Sequence, residues 1–237
     1  DFMKDGLKLQ IEGDYITADG TTLGGDDGIA VAYMLAVLDD DTLKHPALEC
    51  VITTDEEIGL LGAKALDTSV LKGTHMINMD SEEEGYLWIS CAGGLSGTSR
   101  IPVEYQEMEG VVTEVLIDGL NGGHSGAEID KNRANANKLM GLFLYELGQK
   151  IGYSIKDLSG GTKDNAITRS CKAAIVTDAE DVEEVKAVAE KLQAELRAEY
   201  AGSDEGITIS VTPGKEETVE ALSLVSKEKV VFYLVHV

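Results

Sequence analysis

No apolar run in the 237 residues approaches the roughly 20 needed to span a bilayer. The first residues, DFMKDGLKLQ, have no basic start followed by an apolar stretch, so they do not read as a secretory signal. Cysteine is scarce: Cys50, Cys91 and Cys171 are odd in number and far apart. That argues against a disulfide framework or a zinc knuckle, and predicts reduced thiols packed in the strands of a cytosolic protein. Bases are outnumbered, 20 against 43 acids, for a net charge of −23. Such a field opposes binding to nucleic acid and to anionic membranes. Most of these carboxylates are expected to lie on a solvated surface. Neither GxSxG nor a P-loop is present, GGDDG lacks the GxGxxG spacing, and no Cys–His pairing has a suitable context. Repeats and low-complexity linkers are missing too.

The remaining composition, 43% hydrophobic and 27% charged, is that of an ordinary globular protein able to bury a substantial core. Residues 1–94 alternate strand and helix. LKLQIEGDYITADG reads as a strand pair with a Gly-Asp turn, and Asp27 to Leu38 as a helix apolar on nearly all sides and therefore buried. LECVITT, HMINMD and YLWIS read as strands, with LLGAKALDTSVL as a helix after the first of them. Helices between short apolar strands predict an α/β domain with a mainly parallel sheet. From residue 95 the pattern changes. VTEVLIDGL, SIKDL, AAIVTD and ITISVTP read as strands. Asn135 to Lys150 reads as a helix with Leu139, Leu142, Phe143 and Leu147 on one stripe. A longer helix begins at Asp181, its expected N-cap, with Glu184 three residues on and Val182, Val185, Ala189, Leu192 and Leu196 inward. The order β-α-β-β-α-β predicts an α+β ferredoxin-like sandwich for 95–237. The chain starts without Met and ends in the apolar run VVFYLVHV, from which we expect a cut through a longer protein at both ends.

Three acidic sites stand out by position. Asp26 sits where the glycine turn LGGDDG opens the apolar helix, Glu56 and Glu57 close the strand VITT, and Asp80 closes MINM. In an open α/β sheet, the carboxyl ends of strands converge on one edge, where such folds bind ligands. Carboxylates gathered there repel one another, and a multivalent cation relieves that repulsion, as in two-metal hydrolytic sites. Each position also has a plainer reading. Asp26 alone suits a helix N-cap, the Glu56–Glu57 pair a solvated strand end, and Glu82 to Glu84 a solvated loop.

GTTLGGDDGIA, TTDEEIGLLGA, MDSEEEG with SCAGG, GLNGGHSGAEID, NRANANKL and SGGTKDNAI form a collinear set across essentially the whole chain. That set resembles the aminoacyl-histidine (Xaa-His) dipeptidases, or cytosolic non-specific dipeptidases, of the aminoacylase and carnosinase superfamily of co-catalytic zinc peptidases. The resemblance implies an αβα catalytic domain, here partial, with an inserted lid beginning near residue 95. It also implies two divalent ions, zinc first with cobalt or manganese as substitutes. Asp26 would bridge the ions, Glu57 and Asp80 would be further ligands, and Glu56 would be the general base. His124, in GGHSG, would stabilise the oxyanion from the lid, and Asn165, in DNAI, would contact substrate. Without the resemblance, His124 and Asn165 read as turn residues, and Asn135 and Asn137 as helix-start residues. His45, His75 and His236 match no family role and read as surface or strand-edge histidines.

The family's upstream His-x-Asp segment would precede residue 1, and its second metal histidine and substrate arginine would lie beyond residue 237. Where the family has proline after Asn-Ala-Ile, this chain has Thr168, which implies a looser turn. The carboxylates alone suit magnesium, manganese or calcium better than zinc. The expected parent activity is hydrolysis of small peptides, Xaa-His dipeptides among them, in the cytosol, and a homodimer is compatible with it. A sister amide hydrolase (an acylamino-acid deacylase or tripeptidase) and a non-catalytic dimerisation or binding module are the alternatives.

Overall fold

The computed structural model describes residues 3–81, 83–91 and 93–237. The chain divides into two compact units, Asp1–Gly93 and Gly94–Val237. It is a mixed α/β protein, and every strand pairing among the described residues is antiparallel. No helix among them is long and apolar enough to cross a membrane.

In the first unit, β1 (Leu9–Glu12) and β2 (Tyr15–Ala18) form a hairpin in which Glu12 faces Tyr15 across a Gly13-Asp14 turn. Gly13 has φ +63°, the positive value that tight hairpin turns require and glycine supplies without a steric penalty. Helix α1 (Gly25–Asp39) follows, and the short α2 (Leu61–Ala65) comes later. The expected helix over 60–71 stops early because Asp67 is extended and its carboxylate accepts the Ser69 N–H, starting a separate 3₁₀ turn at Thr68–Val70.

Two expectations for this unit are not met among the described residues. The mainly parallel sheet is not confirmed: LECVITT, HMINMD and YLWIS run there without ladder partners, and Ile77 and Ile89 are 85% and 97% exposed. Parallel strands persist when both faces are covered, and one 15-residue and one five-residue helix cannot cover three strands. For the same reason α1 is not buried. Ala30 is its one buried residue, while Ile29, Tyr33, Leu35 and Leu38 stay exposed. The packed-cysteine expectation fails here as well, since Cys50 and Cys91 are exposed free thiols on these uncovered segments. Cys171, in the second unit, is buried, and burial pushes its thiol up to about 12.

The second unit contains β3 (Tyr105–Asp118), β4 (Gly123–His124), α3 (Ala136–Gly148), β5 (Ser154–Gly160), β6 (Ala166–Ile167), β7 (Cys171–Thr177), α4 (Val182–Glu199), β8 (Thr208–Leu222) and α5 (Leu224–His236). Its main sheet has the order β5-β7-β3-β8, and the small β4–β6 ladder stands apart from it. Val115 and Ile117 of β3, Ala173 and Ile175 of β7 and Ile155 of β5 form the sheet side of the core. Leu139, Met140, Phe143, Leu144 and Leu147 of α3 share that core with Val185, Ala189, Leu192 and Leu196 of α4. These are the stripes that a 3.6-residue period places on one helix face.

β3 and β8 extend well beyond the apolar segments that announce them, pairing from Asp118↔Thr208 to Tyr105↔Leu222. Much of the extension is polar and exposed, but its far end is anchored by Ala221 and Leu222, which are buried, Leu222 in the core. Pro213 is accommodated because β8 is an edge strand and the ladder shifts register between Val111 and Thr113, beside it. Asp181 does not cap α4 with its side chain. It lies at the end of a 3₁₀ turn in the αR region, whereas an N-cap needs extended geometry to reach back to the helix N–H groups. Asn135, in contrast, is extended and its side chain accepts the Asn137 N–H at the start of α3. The apolar C-terminal run forms α5, which lies so close to α3 that a Cβ on Gly141 would sit 2.6 Å from the Leu234 Cβ.

Phe143 has no exposed surface. Phe143→Ala is expected to destabilise this unit by about 3–5 kcal/mol, the usual loss for truncating a buried aromatic ring. Urea unfolding followed by circular dichroism checks this, and a midpoint equal to wild type would show that the core is not where the structure places it.

Candidate functional site

The acids of the first unit lie on three separate segments. The helical geometry of α1 is interrupted at Asp26 and Asp27, whose dihedrals are non-helical and whose shared peptide is cis. The capping role suggested for Asp26 falls one residue later, where Asp27 Oδ1 accepts the Ala30 N–H at 3.2 Å. Asp26 is exposed and takes no part in capping. Glu56 and Glu57 project from a tight turn closed by the Gly59 and Leu60 N–H groups on the Glu56 carbonyl, at 3.0 and 2.9 Å. Gly62 brings that turn against the preceding segment by donating to the Thr54 carbonyl at 3.0 Å. Asp80 ends an exposed extended stretch. Carboxylates are suitable donors for a hard divalent cation. Among the described residues, however, no three His, Cys, Asp or Glu side chains come together to hold an ion. As arranged here, the acids do not fit a metal centre.

The second unit does assemble its candidates. β4 pairs with β6 in the register His124↔Ala166, and the Ser125 N–H donates to the Asn165 carbonyl at 2.9 Å. His124 and Asn165, 41 positions apart by their own numbers, are thus neighbours through backbone bonds, and both are exposed. The His124 ring accepts at Nδ1 from the Gly126 and Ala127 N–H groups, at 3.0 and 3.1 Å. Glu128 closes the turn from both ends: its N–H donates to the His124 carbonyl at 3.0 Å, and its Oε2 accepts the His124 N–H at 2.9 Å. Its other oxygen takes Lys131 Nζ at 2.7 Å and Arg133 Nη2 at 3.1 Å. Arg133 also donates through Nη1 to the Gly122 carbonyl. Behind the turn, the buried Asp204 accepts the N–H groups of Asn121 and Ala134 at 2.6 and 2.7 Å. Thr168, where a looser turn was expected, is buried; its carbonyl accepts the Ala136 N–H at 2.9 Å and its hydroxyl accepts from Asn137 Nδ2 at 3.5 Å. His45, His75 and His236 are exposed, and none belongs to a group of three potential metal ligands among the described residues.

Residues 117–204 match the family described as the peptidase dimerisation domain. Over 211 residues the chain is 38% identical to the cytosol non-specific dipeptidase of Escherichia coli (strain K12), covering 88% of this chain and 44% of that protein. The crystal structure of the aminoacylhistidine dipeptidase from Vibrio alginolyticus superposes with a TM-score of 0.68 at 29% identity, covering 99% of this chain and 48% of that one. The chain thus carries a match to the peptidase dimerisation domain and is similar to aminoacyl-histidine and cytosol non-specific dipeptidases. It spans less than half the length of the E. coli relative. An uncharacterised Bacillus subtilis (strain 168) protein, YqjE, is 40% identical over 82 residues, 33% of this chain and 22% of its own length.

The dimerisation-domain match runs from the end of β3 to Asp204 and so includes His124, Glu128, Arg133 and Asn165. The sequence reading had passed over Glu128, Arg133 and Asp204. Glu128 and Arg133 lie in the quoted GGHSGAEID and NRANANKL segments, and a glutamate four residues after a turn histidine is the signal that could have flagged the first. Asp204 carries no local signal, because its partners are 70 and 83 residues away.

The Lys131 hydrogen bond and then the His124 N–H hold the Glu128 carboxyl at about 2, against an ordinary 4.5. A depressed carboxyl stabilises the fold above its unfolded pKa, and that contribution disappears as pH falls through the folded value. The His124 turn should therefore be fully braced above about pH 4.5 and should loosen as pH falls to about 2. Carbon-13 titration of the Glu128 carboxyl is expected to give a midpoint near 2, moving upward in Lys131→Ala. An unshifted midpoint of 4.5 in the wild type would refute the ion-pair geometry.

Proposed function

We propose that this chain is part of a cytosolic enzyme that hydrolyses dipeptides with a free amino terminus, Xaa-His substrates among them. The observation that carries the proposal is the 38% identity with the E. coli dipeptidase, which runs over 211 residues, 88% of the chain. In this reading residues 1–94 belong to an αβα catalytic domain and 95–237 to its ferredoxin-like lid. The strand-helix-strand-strand-helix-strand order and the sheet order β5-β7-β3-β8 support the lid assignment. Two divalent ions, zinc with cobalt or manganese as substitutes, are the proposed cofactors of the complete enzyme, with Asp26, Glu57 and Asp80 among their donors. Glu56 takes the proton of the attacking water and returns it to the departing amine as the C–N bond breaks. The His124 imidazole donates to the oxygen of the tetrahedral intermediate, and Asn165 contacts the substrate. The exposed imidazole beside the Asn165 backbone is what supports assigning those two roles together.

The match over 117–204 also favours a second reading, in which this chain is a dimerisation module without turnover of its own. The acids of the first unit, unconverged among the described residues, point the same way for the isolated chain.

Two measurements test these assignments. In the complete enzyme, Glu56→Ala is expected to lower kcat by about 10²–10⁴-fold, the usual weight of a general base, with metal content nearly unchanged. Asp26→Ala should lose both. If Glu56→Ala strips the metal yet keeps its rate per bound ion, the roles of Glu56 and Glu57 are reversed. For the 237-residue chain alone we expect no measurable hydrolysis of an Xaa-His dipeptide with zinc, cobalt or manganese added. Robust turnover would mean that other side chains, His45, His75 or His236, complete the site.

A further inference from the structure

The hydrogen bonds around His124 bear on where its ring proton sits. In a neutral imidazole one nitrogen donates and the other accepts, and the bonds made at one decide the role of the other. Two backbone N–H groups, of Gly126 and Ala127, point at Nδ1 from 3.0 and 3.1 Å. A nitrogen that receives two N–H donors offers them its lone pair and has no place for a hydrogen of its own. The proton of the neutral ring therefore belongs on Nε2, which has no partner among the described residues on a side chain that is exposed.

Nothing in the ring imposes this; the turn does. At Gly126 a Cβ would stand 3.2 Å from His124 Cε1 and 3.3 Å from Nδ1, so a side chain there would press on the imidazole and push it off the two donors. Glu128 holds both ends of the residue that carries the ring, accepting the His124 N–H and donating to the His124 carbonyl. Lys131 and Arg133 anchor the Glu128 carboxylate in turn, and Arg133 ties the same unit to the Gly122 carbonyl.

We propose that the 122–128 turn is a tautomer lock. It presents His124 as a neutral Nε2–H donor for an anionic or developing anionic oxygen of the substrate, and Glu128 is the positioning residue that keeps the turn closed. The proposal rests on the reading of His124 as the group that meets the substrate oxygen, and it adds that His124 gives a hydrogen bond without taking a proton, which leaves proton transfer to another residue. Glu128 touches no reacting atom; it acts through His124.

The test is a long-range proton–nitrogen correlation spectrum of the 237-residue chain labelled with nitrogen-15 histidine, recorded above the imidazole titration range. His124→Gln identifies the His124 signals by their loss. The expected result is a limiting pattern, Nδ1 fully pyridine-like and Nε2 fully pyrrole-like, rather than the averaged shifts of exchanging tautomers. Glu128→Ala should move the His124 shifts toward the averaged values. Glu128→Gln, which keeps an oxygen for the His124 N–H, should restore most of the limiting pattern. Averaged His124 shifts in the wild type, or a proton on Nδ1, would overturn the lock. Unchanged His124 shifts in a folded Glu128→Ala chain would remove Glu128 from it. Should the limiting pattern hold while His124→Gln in the complete enzyme leaves kcat unaltered, the lock stands and the oxyanion role falls.

Discussion

A carboxyl group with no exposed surface is tolerated only where donors replace the water it gave up. Asp204 is such a group, and the His124 site depends on it. It follows directly on α4, its N–H bonded to the Tyr200 carbonyl at 2.9 Å, so its place is set by where that helix docks. α4 docks through Val185, Ala189, Leu192 and Leu196, all in the core. From there the two Asp204 oxygens reach the N–H groups of Asn121 and Ala134, the first just before the His124 turn and the second just before α3. A buried N–H left without an acceptor costs about 1–3 kcal/mol, so the two loops share one anchor and would loosen together. Helix packing thus reaches the imidazole in three steps: helix to carboxylate, carboxylate to loops, loops to ring.

Among the described residues of the first unit no buried carboxylate anchors loops in this way; Glu49, which accepts the Lys72 and Gly73 N–H groups, is exposed. The unit's apolar segments carry the composition of buried strands, yet their side chains face solvent, because a strand buries itself only against neighbours. Carboxylates placed at strand ends converge only when the strands do. That links the exposure of Ile52, Ile77 and Ile89 to the separation of the acids that follow or flank them. The chain spans 44% of the E. coli relative, and the apolar segments of its first unit have no ladder pairings with one another among the described residues.

How much could be read from sequence follows from how local each determinant is. α3 and α4 were legible because their apolar stripes repeat within the helix, and Asn135 was legible as a cap because its partner is Asn137. The hairpin turn at Gly13-Asp14 was legible for the same reason. The first half of β3 and the second half of β8 were not, since each pairs chiefly with the other. Asp181 and Asp26 looked like caps from position alone. The backbone decided otherwise, placing Asp181 in the αR region and giving the capping bond to Asp27. His124 was found through its motif, but nothing in the motif says which ring nitrogen faces solvent. That is decided by Gly126, Ala127 and Glu128, whose roles exist only once the turn has closed.

The same chain therefore uses carboxylates in two ways that sequence cannot separate. Glu128 and Asp204 are committed: their oxygens accept from Lys131, Arg133 and three backbone N–H groups, those of His124, Asn121 and Ala134. Asp26, Glu56 and Glu57 are exposed, and their side-chain oxygens accept no hydrogen bond among the described residues. A carboxylate in water loses little by remaining there, so exposure alone does not mark a ligand. What separates the two sets is what the surroundings have been built to do. Around Glu128 two cations and a backbone N–H converge, which is the arrangement of a structural brace. Among the described residues no cation is bonded to Asp26, Glu56 or Glu57, in a chain of net charge −23. An acidic field of that size draws divalent cations toward any place where carboxylates can be brought within reach of one another. Assembly of the rest of the sheet would thus raise repulsion among these acids and the demand for a cation at the same time, whereas the His124 turn, already neutralised by Lys131 and Arg133, would be ready before any ion arrived.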